Sequence, residues 1–299
     1  MRTINNKKQH PTSTVLQSRF AMFLPVEKLS QNFENVTIRI ENKRGLIVLE
    51  SCKLTQVHRN IVDCIFSFYE PKILSDGSAV FTFSKYGLLK KLNHKHGRNG
   101  KWLEKKFEEM RRASIQLRIN NEEEESIDYQ GVIYRHKLTK LKNEKNEDLY
   151  GVIFSQNFMM LFEKDLNIYS QKLTEDIIDL PSAVTQALVR EIISHKQVNR
   201  SLEKILGDIG VCYCDDENTK KEDRKENQIS KRAYRYKIED VLALKETLLE
   251  KFGIDIKEIR SGDDKGTLGV FYKQHKDVHI TNPRPKANLS KETQKSEVI

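Results

Sequence analysis

Glycine and proline are scarce, 13 and 6 in 299 residues, about half their usual combined share of roughly 12%. That argues against a turn-dense β-sandwich or propeller and for a chain in which helices dominate. Cysteine is scarcer still. Cys52, Cys64, Cys212 and Cys214 cannot frame a chain this long with disulfides, and a reducing cytoplasm is the compartment they fit. Long apolar runs are missing as well: the longest, Phe20 to Val26, is broken by Pro25 and falls far short of the ~18 to 20 residues of a membrane-spanning helix. Met1 to His10 is polar, without an apolar stretch or small-residue cleavage site, so no secretory signal is readable. What the chain has is charge. Asp, Glu, Lys and Arg make up 32%, the net charge is +9, and the pI is near 9.2 with a mean hydropathy of −0.63. A basic excess of this size predicts polyanionic partners, and the missing apolar runs predict no membrane. The length favours two domains.

Residues 1–18 and 276–299 are polar, lack periodicity and read as a flexible arm and a flexible tail. Between them, 19–150 and 151–275 repeat one order of signals. In the first stretch, Val36 to Ile40 and Leu46 to Leu49 form a hairpin. Thr55 caps a helix whose apolar positions run from Val57 to Tyr69 at the 3.6-residue period, ending before Pro71. A short strand over Val80 to Phe83 follows. Ser84 then caps a helix with Leu88 and Leu89, Asn93 to Gly97 turns, and Asn99 caps a third helix carrying Leu103, Phe107 and Met110. Ile115 to Ile119, the acidic tip Asn120 to Glu125 and Ile127 to Leu138 complete a β-hairpin. The second stretch opens with a strand, Gly151 to Phe154, and a short helix from Ser155 to about Phe162. It continues with a scaffold helix through Ala183 to Ile193, with Pro181 in its first turn. Ser201 starts a short helix closed by Gly210, a third helix runs from about Ser230 to Phe252, and Ile254 to Ile259 and Thr267 to Tyr272 flank the turn Ser261 to Gly266. Helix, strand, helix, turn, helix and hairpin is the winged-helix order. The expected fold class is therefore α+β, two tandem winged-helix domains.

The basic excess is concentrated. Lys85, Lys90, Lys91, Lys95, Arg98, Lys101, Lys105 and Lys106 face one acid, Glu104, over 22 residues, and they span the second helix, turn and third helix of the first unit. Asn99 belongs to the same set as the helix start. The second unit repeats this with Ser230, Lys231, Arg232, Tyr234, Arg235 and Lys237 at the start of its third helix, and Lys265 in its wing turn. The opening turns of a recognition helix are what reach base edges in a major groove. Arg235 lies opposite the Ile238, Val241 and Leu242 stripe and predicts a base contact; Lys105 predicts a phosphate contact. A charge run is also what a solvated helical face looks like, and only its coincidence with the turn and third helix separates the two readings.

Other constellations carry less. His94-Lys95-His96 has the spacing of the metal-binding pair of rolling-circle nicking enzymes, but Lys stands where a hydrophobe is wanted and no acidic third ligand is near. Cys212 and Cys214 have no second ligand pair at zinc spacing, and Glu122 to Glu125 reads as a solvated hairpin tip. No P-loop, nucleophile elbow or Ser-His-Asp pattern is present. The expectation is a protein that is not an enzyme and takes no metal or cofactor.

Three segments, Ser18 to Phe23, Phe81 to Leu89, and Leu180 to Asp208 with Ser194-His195-Lys196, resemble, in their order and spacing, plasmid replication initiators of the iteron-binding Rep class, TrfA-type. The resemblance spans about residues 18 to 273. It implies binding to double-stranded DNA carrying direct repeats, opening of an A·T-rich region, and recruitment of the host initiator ATPase and replicative helicase. It also implies monomers that act and homodimers that inhibit. By matched position Lys231, Arg232 and Arg235 inherit base reading, and Arg98, Asn99 and Lys101 the helix-start role of the first unit. The polar insert Asp215 to Asn227 departs from the pattern. A transcriptional repressor using the same two units is the rival reading, and a metal-dependent nicking endonuclease built on His94 and His96 a more distant one.

Overall fold

Serine and threonine decide where most helices start. Thr14, Ser84, Ser155, Ser182, Ser201 and Ser230 each stand in extended backbone and accept, through the hydroxyl, the amide N–H three residues on. This satisfies one of the donors a helix leaves without a partner. A computed structural model describes residues 10–26, 37–42, 45–93, 100–119, 127–131, 134–135, 140–142, 148–213 and 228–283. The expected tip at Glu122 to Glu125, the insert at Asp215 to Asn227, and His94, Lys95, His96, Arg98, Asn99 and Cys214 lie outside them.

The chain enters through β1 (Ser13–Thr14) and α1 (Val15–Arg19). The first unit then runs β2 (Ile38–Asn42), β3 (Gly45–Ser51), α2 (Gln56–Phe68), β4 (Pro71–Ile73), β5 (Ala79–Ser84), α3 (Lys85–Lys91), α4 (Gly100–Arg112), β6 (Ala113–Ile119), β7 (Ile127–Gly131), β8 (Tyr134–Arg135), β9 (Lys140–Lys142), β10 (Asp148–Phe154) and α5 (Gln156–Lys164). The second runs β11 (Asn167–Tyr169), α6 (Gln171–Asp179), α7 (Ala183–Ile193), β12 (Gln197–Ser201), α8 (Leu202–Asp208), β13 (Cys212–Tyr213), β14 (Gln228–Ile229), α9 (Lys231–Leu242), α10 (Lys245–Phe252), β15 (Ile254–Glu258), β16 (Leu268–Lys273) and β17 (His279–Thr281). The sheets are small and antiparallel, β2-β3-β6-β7, β4-β5-β10-β8 with β9 also on β10, β12-β16-β15 and β1-β11-β17, apart from the parallel pair β13-β14. The fold is mixed α+β.

Two cores divide it. The first gathers α2, β5, α3 and α4 with Val152, Phe154, Phe158, Leu161 and Phe162; the second gathers α6 to α10 with Ile254, Ile256, Val270 and Tyr272. This moves the expected domain boundary. The strand and helix that open at Gly151 belong to the first unit, because β10 pairs along its length with β5 and the α5 phenylalanines pack on Phe66. A boundary near Asp165 fits the contacts; one at 150 would cut through a β-ladder.

Neither terminus is wholly an extended arm. Ser13 and Thr14 pair with Ile168 and Asn167, and Thr12 to Val15, Gln17 and Ser18 are buried; β17 pairs with β11 from the other side. Polar composition hid this, because most of the buried hydroxyls and amides find partners: Thr12 Oγ1 donates to the Ile168 carbonyl at 3.0 Å and lies 2.9 Å from Ser170 Oγ. The expected third helix of the second unit is two, interrupted at Ala243 and Leu244, which leaves Leu249 of the expected apolar face 49% exposed. Pro181 lies just before the Ser182 cap and not inside α7. Gly210 and Gly253 take left-handed conformations after α8 and α10, as helix ends favour.

The start of α2 carries a pH-dependent element. Thr55 N–H donates to His58 Nδ1 at 3.0 Å, so the proton is on Nε2, 2.8 Å from Glu109 Oε2. Burial lowers the His58 pKa from 6.5, its hydrogen bond to Glu109 opposing. Burial also resists ionisation of Glu109, but His58 and Lys106 together hold its carboxyl at about 2. Both groups are depressed, so each contributes stability that is whole above its unfolded pKa and lost as pH falls. The acid limb of unfolding stability is expected to begin near the ordinary imidazole pKa of ~6.5 and to continue below the ordinary carboxylate value. His58→Gln keeps an acceptor for the Thr55 N–H and should flatten the limb between about pH 6.5 and 4.5 in urea titrations. An unchanged limb would rule His58 out.

Candidate nucleic-acid interface

Helix periodicity sorts the basic residues of α9. Tyr234 and Val241 are buried and Ile238 half-buried, whereas Lys231, Arg232, Arg235 and Tyr236 are exposed, with Glu239 and Asp240 further along the same outer side. The outer face is therefore positive over its first two turns and negative beyond. Ser230 Oγ accepts from Ala233 N at 3.2 Å, which makes Ser230 the N-cap and Lys231 the first helical residue. The expected insert leaves this register intact, because its flanks are pinned: Cys212 pairs with Gln228 and Tyr213 with Ile229.

Tyr234 is a correction. Its ring packs 4.7 Å from that of Tyr213 and it is 5% exposed, so it anchors α9 and does not face a groove; burial raises its phenol pKa. The residue that faces outward is Tyr236, 50% exposed, which the expected contact set does not include. Helical spacing held the signal: Tyr234 falls four before Ile238 and seven before Val241, whereas Tyr236 falls four after Arg232. Arg232 Nε donates to Tyr236 Oη at 3.1 Å and its guanidinium carbon lies 5.6 Å from the ring centre. Lys237 is half-buried, 3.8 Å from Asp240. Lys265 is exposed in the turn between β15 and β16, with Arg260, also exposed and not anticipated, at the same turn. Asp264 of that turn is engaged by Lys204 of α8 at 2.7 Å, which ties the turn to the helix before α9.

The first unit follows a similar pattern with fewer free cations. Lys85 donates to Glu104 at 2.6 Å, lies 5.3 Å from the Tyr150 ring and packs against Gly100 at the start of α4. Lys91 pairs with Glu175 of α6 and stands 4.2 Å over the Phe68 ring. Both lysines of the expected set therefore already have a carboxylate partner at the surface. Lys90 and Lys101 are exposed with no carboxylate partner among the described residues, and Lys105 is 77% exposed with Glu109 only at 4.0 Å. Toward the other end of α4, Arg111 and Arg112 are both bonded to Glu108, so here too the positive charge lies in the opening turns.

Among the described residues no group of three or more His, Cys, Asp or Glu could hold a metal ion, and no helix is long and apolar enough to cross a membrane. What the surface can do chemically is bind anions: two helices each begin with exposed cations, one of them flanked by an exposed aromatic ring and a basic turn. No protein-family model, curated protein or solved structure matches the chain.

Proposed function

We propose that this chain is a sequence-specific, double-stranded DNA-binding plasmid replication initiator with two tandem winged-helix units. The observation that carries the reading is repetition. In each unit a scaffold helix (α2, α7), a strand (β5, β12), a short helix (α3, α8) and a longer helix (α4, α9) precede antiparallel strands, and in each the opening turns of the longer helix carry exposed cations, Lys101 and Lys105 in α4 and Lys231, Arg232 and Arg235 in α9. In the second unit the three strands pair in the order β12-β16-β15, which supports reading the β15-β16 hairpin as a wing. Lys231, Arg232 and Arg235 are the base-reading candidates; Lys90, Lys101, Lys105 and Lys265 are phosphate contacts. The replication role, with direct repeats, the host initiator ATPase and the helicase as partners, rests on the resemblance to iteron-binding initiators.

Competition binding at several salt concentrations tests the DNA reading, using duplexes selected from a random library against unselected ones. Arg235→Ala should cost about 1–3 kcal/mol on the selected duplex and little on random DNA. Lys105→Ala should weaken both alike and reduce the salt-dependence slope by about one. Equal loss on both duplexes for Arg235→Ala would remove it from the base-reading set. Two units on one duplex face should protect roughly 20 base pairs, two turns of the helix. Autonomous replication of a plasmid carrying the gene and its flanking repeats separates initiator from repressor, and nicking of a supercoiled origin plasmid in Mg²⁺, lost on changing His94 and His96, would favour the endonuclease instead.

A further inference from the structure

The three exposed cations that open α9 are not equivalent. Lys231 and Arg235 have no side-chain partner among the described residues, whereas Arg232 is tethered through its Nε to Tyr236 Oη, one turn on. No carboxylate competes for the guanidinium among the described residues, so both terminal nitrogens, Nη1 and Nη2, remain as an unengaged fork. A side chain such as arginine carries about 2 kcal/mol of rotamer freedom, and a fork already held loses less of it on binding. With Nε occupied, the remaining end-on pair matches the two acceptors O6 and N7 that guanine presents in the major groove; adenine offers only one acceptor there beside a donor.

We infer that Tyr236 is a positioning residue that aims Arg232 at a guanine, making one guanine of the bound repeat the most strongly specified base of the second unit. This rests on the DNA-binding reading above and adds to it a base, a residue and a cause. Tyr236 acts through its hydroxyl, and its ring contributes the surface on which the guanidinium lies. Arg235, without a tether, reads with less discrimination.

The test is enrichment from a random duplex library by the full chain, comparing wild type with Tyr236→Phe, Arg232→Lys, Arg232→Ala and the double variant Arg232→Ala/Tyr236→Phe. Wild type should select guanine at one position by about 5- to 150-fold, the range of a good bidentate pair. Tyr236→Phe keeps the ring on a half-exposed surface, and its melting temperature should match wild type. It should lose about 2- to 10-fold of that preference, what one hydrogen bond contributes, with affinity for unselected duplex and the salt slope unchanged. Arg232→Lys keeps the charge without the fork and should lose the preference altogether. In the Arg232→Ala background, Tyr236→Phe should have no further effect, which a ring that merely packs on the helix would not produce. Full guanine preference in Tyr236→Phe, or losses that add in the double variant, would overturn the positioning role while leaving DNA binding intact. Failure of wild type to enrich any sequence would overturn the DNA reading and this inference with it.

Discussion

Asp63→Ala should lower the free energy of unfolding by about 3–5 kcal/mol, the usual cost of removing one partner from a buried ion pair. Among the described residues, Asp63 is the one carboxylate in contact with both buried guanidinium groups. Arg190 Nε donates to its Oδ2 at 2.7 Å, and Arg59 Nε approaches Oδ1 at 2.7 Å, a charge contact out of line for a hydrogen bond. The rest of the network is uncharged: Arg190 also donates to Gln56 Oε1 at 2.8 Å and Asn60 Oδ1 at 2.6 Å, and Arg59 donates through Nη1 to the Gln17 backbone carbonyl at 3.1 Å and through Nη2 to the Ser13 hydroxyl. Burial lowers the Arg59 pKa, Arg190's charge adds to that, and Asp63 opposes both. Without Asp63, two cations stay buried with no counter-charge. Arg190→Met should cost less, because Asp63 keeps Arg59. The triple variant Arg59→Met, Asp63→Leu, Arg190→Met should unfold within about 1–2 kcal/mol of wild type or above it, as apolar replacements of buried ionic clusters do. Urea midpoints measure all three. A cost below about 1 kcal/mol for Asp63→Ala would mean that water reaches the network, as it does at surface pairs.

Phe66→Ala should cost a similar amount, about 3–5 kcal/mol, through the loss of buried ring and the cavity left behind. Phe66 is 4% exposed and its ring centre lies 4.7 Å from Phe81, 5.0 Å from Phe154, 6.1 Å from Phe158 and 4.9 Å from Phe162, with the last stacked parallel. The distribution of the damage is as informative as its size. Amide exchange should accelerate in α2, β5, β10 and α5 together, while α7, β12 and β16 keep their protection. If β10 and α5 retained protection along with α7, those elements would belong to the second unit after all.

Local chemistry made the elements legible and long-range pairing hid their grouping. Ser84, Ser201 and Ser230 mark helix starts by hydroxyl position alone, and the 3.6-residue spacing of Leu103, Phe107 and Met110 identifies the buried face of α4. No such pattern says which unit Gly151 to Phe154 joins, because an alternating strand pairs equally well with either neighbour until β5 is in place. Composition misled at Thr12 to Ser18, where polar residues are buried by satisfying one another. At the interface the clustering of cations was readable, but their availability was not. Lys85 and Lys91 differ from Lys90 only in having Glu104 and Glu175 across from them, a fact of tertiary structure. Tyr234 and Tyr236 differ in helical phase, which places Tyr234 with the buried stripe and Tyr236 beside Arg232.

The entering segment has a consequence for biosynthesis. Thr12 bonds to Ile168 across 156 residues, Ala21 to Leu24 pack into the first core, and Arg19 donates to the Ser194 hydroxyl at 2.8 Å and to its carbonyl at 2.6 Å. Ser13 and Arg19 thus meet these partners only after roughly 150 to 180 further residues have been made. At ~5–20 residues per second, Ser13 waits roughly 10 to 30 s for β11 and α7. During that interval the first unit closes around Phe66 while the leading strand has nowhere to pair, so an unpaired edge is exposed on every nascent molecule. Ordering of Ser13 and Arg19 is therefore expected to follow closure of the first core, and slowing translation between Lys164 and Ser194 should lengthen the exposure without altering the finished fold.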